Sequence, residues 1–244
     1  MKVAAKKTEM KKAKERGEVK KAEVKRAEAL LIFSRLPVGV ETKTRLAPLL
    51  DESCREQLHR CFWADIFASL LELRDRMDLF LCWTGSGAPE TYSHLIPAEF
   101  QLREQRGASL GDRMFRAAQD AFESGYERVA IVGSDIPQLR PESVRRGFDA
   151  LLRADVVLGP AYDGGYWFIG MKKAHPELFD LSVPWGGSEV RLGTLARMER
   201  LGCLYAETDA YRDIDTPDDL RAFLAEGHER GTATRAFLET LFHP

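Results

Sequence analysis

No apolar run in this chain approaches the roughly 20 residues that a membrane-crossing helix needs, and no apolar leader segment follows its N-terminus. Cysteine is scarce: Cys54, Cys61, Cys82 and Cys203 form no CxxC pair, and no His stands at metal-finger spacing to them. Three lie in apolar segments, where a free thiol acts as a small hydrophobe, so we assign them no chemistry. Internal repeats are absent, and no linker divides the chain. Excess positive charge is also lacking: the net charge is −2, which argues against nucleic acid as the main partner. These absences leave a cytoplasmic globular protein with no membrane span as the expectation.

The charge that is present is unevenly placed. Residues 1–29 sum to +6 and the remainder to −8. The basic arm carries too few apolar residues (Val3, Met10, Val19, Val24) to bury a face. We therefore read residues 1–28 as a partly helical or disordered extension and residues 29–244 as one domain, a size ordinary for a single α/β unit.

Within that domain strands and helices alternate. Residues 29–33 (ALLIF) read as a buried strand, and Ser53 with Glu56 reads as a capping box opening a helix to about residue 73. Further strands are expected at 78–83, 100–104, 128–132, 155–158, 166–171 and 203–207. Helices are expected at 112–122, from Pro141, at 189–201, after Asp219, and at the C-terminus. The alternation predicts a mostly parallel sheet covered on both faces by helices. In such sheets ligands bind beyond the carboxyl ends of the strands, so residues just after strands carry the information.

Four clusters sit there. Lys43-Thr44-Arg45-Leu46 follows the first strand, with Arg35 nearby; a basic loop before a helix suits phosphate oxygens. A solvated basic loop would look the same. Gly133-Ser134-Asp135 ends the most apolar strand and offers one carboxylate to a hard cation, or merely orders the turn before Pro137. The run Asp163-Gly164-Gly165-Tyr166-Trp167 pairs flexible backbone with aromatic faces for a sugar or base; as structure alone it is an Asp-Gly turn between two strands. Finally, Thr216 and Pro217 are a helix start, which leaves Asp213 and Asp215 unexplained. Their alternate spacing places them on one side of an extended segment, as candidates to complete a metal site with Asp135.

Taken together, LLIFSRLP, KTRLAPLL, SLGDRM, GSDIP, GPAYDGGYWFIG and DIDTPDDL resemble a bacterial family of GT-A-like glycosyltransferases, some of whose members are described in arsenosugar biosynthesis. Trp185-Gly186-Gly187-Ser188 stands where that family more usually has Trp-Ser-Thr. KTRLAPLL, the S-D-x-P step and DIDTPDDL are also similar to 2-phospholactate guanylyltransferase and, more distantly, molybdenum-cofactor guanylyltransferase. Both resemblances imply the nucleotide-diphospho-sugar transferase (GT-A-like) fold.

The first resemblance implies a glycosyltransferase using a nucleotide sugar and a small-molecule acceptor. Asp135, Asp213 and Asp215 would then hold Mg²⁺ or Mn²⁺, with Asp163 catalytic and Gly164, Gly165, Tyr166, Trp167 and Trp185 on the substrate. The second implies a nucleotidyltransferase, in which Arg35, Lys43, Thr44, Arg45, Gly133, Ser134 and Asp135 grip a nucleoside triphosphate and Lys43 and Arg45 stabilise departing pyrophosphate. A degenerate binding protein is the third possibility, and retention of both Asp135 and Asp215 weighs against it. Glycosyl transfer is the leading expectation and nucleotidyl transfer the alternative.

Overall fold

The apolar run at residues 29–33 lies at the centre of a seven-stranded mixed sheet. The computed structural model describes residues 26–180, 185–227 and 229–242. The strands are β1 (Glu28–Arg35), β2 (Asp78–Thr84), β3 (Phe100–Glu104), β4 (Arg128–Gly133), β5 (Val156–Pro160), β6 (Tyr166–Met171) and β7 (Tyr205–Glu207). Their spatial order is β3-β2-β1-β4-β6-β5-β7. All neighbours pair in parallel except β6, which runs antiparallel to both β4 and β5. The order turns outward in opposite directions from β1 and β4, which opens a crevice above their carboxyl ends.

Alternation along β1 shows why both faces need cover. Leu30 and Ile32 enter one buried cluster, and Ala29, Leu31 and Phe33 enter the other. Helices α1 (Glu52–Leu71) and α3 (Pro141–Ala150) close the first face; Trp63, Ile66, Phe67 and Phe148 are among their buried residues. On the second face lie α2 (Leu110–Glu123) and α4 (Val190–Leu201), through Met114, Ala118 and Met198.

A third cluster matters most for function. Leu46, from the basic loop, and Ile214, from the acidic segment, are both fully buried in it. Helices α5 (Pro217–Ala225) and α6 (Thr232–Phe242) supply Phe223 and Leu238 to the same cluster. Burying these two apolar anchors together brings Lys43 and Arg45 against Asp215. Asp65, on α1, fixes α6 in place by accepting from the Ala233 and Thr234 N–H groups at 2.9 and 2.8 Å.

Two local expectations are corrected. The N-cap of α1 is Asp51, not Ser53: its carboxylate accepts from the Cys54 N–H at 2.7 Å, and the helix starts at Glu52. Extended backbone at Asp51 aims its side chain at the orphan donors first, and Glu56 pairs with Arg60 instead. The first strand also begins earlier, at Glu28, whose buried carboxylate accepts from Arg76 at 2.7 Å and Arg128 at 3.0 Å. The domain thus reaches back into the segment read as the basic arm, most of which lies outside the described residues. The start expected at Thr216 holds: Thr216 and Asp219 form a reciprocal capping box.

Candidate nucleotide site

Two cavities adjoin at the carboxyl ends of β1 and β4, and they differ in chemistry. The larger, of about 730 Å³, is basic: Arg35, Lys43, Arg45 and Arg113 line it, with Thr44, Ser134, Asp135 and Asp215. The smaller, of about 270 Å³, is walled by apolar and aromatic groups and bears carboxylates. Asp135, Asp215, Trp185 and Gly186 line both and form their shared edge.

Lys43 is the centre of the shared edge. It has φ 49°, and among the described residues it is the only non-glycine at positive φ. A Lys held in this region costs on the order of 1 kcal/mol or more, so the surroundings must impose it. They do so through Leu46, buried three residues on, and through three acceptors. The ammonium donates to the Ile214 carbonyl at 2.8 Å and pairs with Asp135 Oδ1 at 2.8 Å and Asp215 Oδ1 at 3.3 Å. Burial works against its charge, but Asp135 and Asp215 outweigh it and hold the pKa above the usual lysine value.

This placement revises the role expected of Lys43. Its side chain is 3 % exposed, and its ammonium protons already face oxygen acceptors. Arg45 is 59 % exposed in its side chain and 3.5 Å from Asp215 Oδ2, so it remains open to a ligand. Arg35 and Arg113 lie on the same wall, and Arg113 was not foreseen from sequence.

Nor was the polar network behind this wall. His59, on α1, is bonded through Nδ1 to the Thr42 hydroxyl, and its Nε2 lies 3.2 Å from Ser34 Oγ. Ser34 Oγ also accepts from Trp63 Nε1–H and from the Ser134 hydroxyl, each at 2.8 Å. Burial, and then the charge of Lys43, pushes the His59 pKa down to about 3. This neutral histidine ties the end of β1, the turn after β4 and the basic loop into one unit. A lone His on a helix carries no sequence signal for that.

In the smaller cavity the Asp-Gly run is both a turn and a wall. Asp163 Oδ1 accepts from the Gly165 N–H at 2.8 Å. Gly164, at φ +92°, leaves room for Ser188, whose carbonyl oxygen would lie 2.2 Å from an added Cβ. Trp185 packs over Gly111 of the SLGDRM segment, where a Cβ would come within 2.8 Å of the indole. Tyr166 meets Trp185 edge to face, with ring centroids 6.2 Å apart. Trp167 is 4 % exposed and donates to the Asp209 carbonyl at 2.8 Å, so it supplies wall rather than an open face. Gly133 and Gly165 line this chamber as well, while Gly164 shapes its turn.

Asp213 opens on this chamber rather than on the basic cavity. Burial pushes its carboxyl up to about 7, helped by the charges of Asp163, Asp215 and Asp135. The charges of Asp163, Asp215 and Asp135 all bear on Asp213, and Lys43 and Arg45 compensate only Asp135 and Asp215. Such a surplus fits a divalent cation completed by ligand phosphates, since Mg²⁺ is commonly held by one or two carboxylates plus phosphate. Among the described residues no group of three or more carboxylate, His or Cys side chains forms a metal cage by itself.

Fold and site together define a nucleotide-dependent transferase with the nucleotide-diphospho-sugar transferase fold. The chain belongs to one family with the first relative given next, and residues 68–187 match the family described as "Uncharacterized protein conserved in bacteria (DUF2064)". It is 30% identical over 197 residues to the 2-phospho-L-lactate guanylyltransferase of Halomicrobium mukohataei, covering 79% of this chain and 84% of that protein. The phosphoenolpyruvate guanylyltransferase of Streptosporangium roseum is 33% identical over 136 residues, 55% of this chain and 58% of that protein. The crystal structure of a candidate nucleotide-diphospho-sugar transferase from Desulfovibrio desulfuricans G20 superposes with a TM-score of 0.80 at 31% identity, covering 88% of this chain and 95% of that one.

Proposed function

We propose that the protein is a nucleotidyltransferase, joining the nucleotidyl group of a nucleoside triphosphate to a small phosphorylated acceptor. The observation that carries this is the basic cavity itself. Arg35, Arg45 and Arg113 surround a space of about 730 Å³ whose far edge is the Lys43–Asp135–Asp215 cluster. Exposed guanidinium groups suit β- and γ-phosphate oxygens and the pyrophosphate that leaves. The guanylyltransferase relatives support this reading over the glycosyl transfer first expected.

In the proposed step an acceptor phosphate oxygen bonds to the α-phosphorus. The bond from the α-phosphorus to the bridging oxygen breaks, and pyrophosphate departs with the electron pair. A divalent cation, Mg²⁺ or Mn²⁺, held by Asp135 and Asp215 would supply charge neutralisation for the triphosphate. Arg45 and its neighbours orient the departing phosphates, and Lys43 keeps the two carboxylates apart at fixed spacing. Ser134 and Thr44 bound the nucleotide, and Gly133, Asp163, Asp213, Tyr166 and Trp185 lie on the side of the acceptor. We place the reaction in the cytoplasm, with the domain that begins at β1 as the working unit; among the described residues no helix is long and apolar enough to cross a membrane.

The second reading, glycosyl transfer from a nucleotide sugar, is favoured by the aromatic chamber and by the resemblance to the Desulfovibrio protein. Incubation with each nucleoside triphosphate, Mg²⁺ and a set of phosphomonoesters, followed by pyrophosphate release, separates the two. Acceptor-dependent pyrophosphate supports nucleotidyl transfer. Release of free nucleoside diphosphate from a nucleotide sugar, with none of pyrophosphate, supports the other.

A further inference from the structure

The smaller chamber has a chemistry that its neighbour lacks. Its walls are Met114, Val190, Tyr166 and Trp185, and its only charged lining groups among the described residues are Asp163 and Asp213, with Asp135 and Asp215 at the mouth. Among the described residues no Lys or Arg lines it, and Lys43 and Arg45 both engage the mouth rather than the interior. A ligand reaching the shared edge from this side must lay its body against aromatic walls and two carboxylates.

Resting on the nucleotidyl-transfer reading above, we infer that the acceptor occupying this chamber is a phosphomonoester whose body carries hydrogen-bond donors, hydroxyl or ammonium, and no carboxylate. The phosphate stays at the Asp135–Asp215 edge, where the cation and Arg45 meet it, and the body points inward. Asp163 and Asp213 accept from its donors. Oδ1 of Asp163 accepts from the Gly165 N–H, which leaves Oδ2 for the ligand. The apolar side of the body packs on the Tyr166–Trp185 pair, whose edge-to-face contact and seat over Gly111 hold it still.

A carboxylate on the acceptor meets the opposite situation. It would face Asp163 and Asp213, with no cation among the described residues that line the chamber. The related guanylyltransferases are named for phosphorylated carboxylates, 2-phospho-L-lactate and phosphoenolpyruvate. This chamber is built to refuse that class and to accept a polyol or amino-alcohol phosphate (the volume of about 270 Å³ suits a body of that size).

The test begins with the nucleotide alone, by titrating the full chain with each triphosphate and Mg²⁺. Absence of any triphosphate binding removes the nucleotidyl-transfer reading, and this inference with it. With binding established, pyrophosphate release is measured with glycerol 3-phosphate, glucose 1-phosphate, phosphoethanolamine, 2-phospholactate and phosphoenolpyruvate. At least a tenfold higher kcat/KM for one of the first three is expected; the polyol and amine arms tell which donor is used. Equal or better use of the carboxylates overturns the inference and leaves the reading of the basic cavity intact. If none turns over, binding is read from Trp185 fluorescence, with Trp185→Phe as the control. Lack of any response to the first three then overturns it as well. Asp163→Lys supplies the missing cation on an exposed turn and is expected to shift preference at least tenfold toward the carboxylates, with Asp163→Asn as the variant of unchanged size.

Discussion

Lys43 Nζ and Asp215 Oδ1, 172 residues apart in the chain, lie 3.3 Å apart. The same ammonium is 2.8 Å from Asp135 Oδ1, so one buried cation joins the loop after β1 to the turns after β4 and before α5. The lysine is thereby an internal part of the carboxylate cluster and sets its spacing.

Replacing Lys43 by Met should therefore destabilise the protein and alter its response to metal. Removing one partner of a fully buried pair costs roughly 3–5 kcal/mol, but solvent reaches Asp135 and Asp215, so about 1–3 kcal/mol is expected. Urea unfolding measures this. Mg²⁺ or Mn²⁺ should then raise the Tm of Lys43→Met more than that of the wild type, because carboxylate oxygens are released for it. An equal metal response in the two proteins would count against Asp135 and Asp215 as the cation's ligands.

His59 predicts a pH dependence of stability. Its folded pKa, about 3, lies below its ordinary value of 6.5, so the unfolded chain binds the proton more readily. Stability linked to this group is fully present above about pH 6.5 and is lost as pH falls toward 3, with a limiting slope of about 1.4 kcal/mol per pH unit. Unfolding free energies of His59→Gln measured between pH 7 and 4 should show a shallower slope than the wild type, whatever its starting stability. Parallel slopes would show that His59 does not titrate on unfolding.

The N-terminal boundary yields a graded truncation. Deleting residues 1–25 should change the unfolding free energy by less than about 0.5 kcal/mol, because that segment has no apolar stripe to bury. Deleting three more residues removes the Arg26–Asp78 pair and the Glu28 carboxylate that Arg76 and Arg128 share. The longer deletion should cost an additional 1–3 kcal/mol or so. A large loss already at the shorter deletion would place the boundary further upstream.

Much of this architecture was legible because it is local. The run 166–171 reads as a strand and is one, and Thr216-Pro217 reads as a helix start and is capped there. Asp135 stood out because strand ends are where such sheets bind ligands, and Asp215 because the helix start beside it leaves it without a structural role. The burial of Lys43 was not legible, since nothing near it in sequence announces packing against a segment some 170 residues away. His59 and Arg113 escaped for the same reason: each sits on a helix and becomes part of the site only through tertiary packing. Ser53 reads as the cap in sequence, but Asp51 two residues earlier is as good a cap, and backbone conformation decides for it.

Arg45 and Lys43 should now separate in binding experiments. Arg45 is exposed and free to meet phosphate, whereas Lys43 is sequestered by Asp135, Asp215 and the Ile214 carbonyl. A lost charge-assisted phosphate contact is worth roughly 1.5–3 kcal/mol, or about one to two powers of ten in affinity. Arg45→Ala should therefore weaken triphosphate binding by about that factor and diphosphate binding less, with the fold unaltered. For Lys43→Met the loss should be similar for both nucleotides and accompanied by the stability change described above. Titration of the wild type and both variants with a nucleoside triphosphate, its diphosphate and a nucleotide sugar reads the pattern directly. A γ-phosphate premium in the wild type that disappears in Arg45→Ala is the expected outcome. Equal affinity of the wild type for triphosphate and nucleotide sugar, unchanged by Arg45→Ala, would transfer the case to glycosyl transfer.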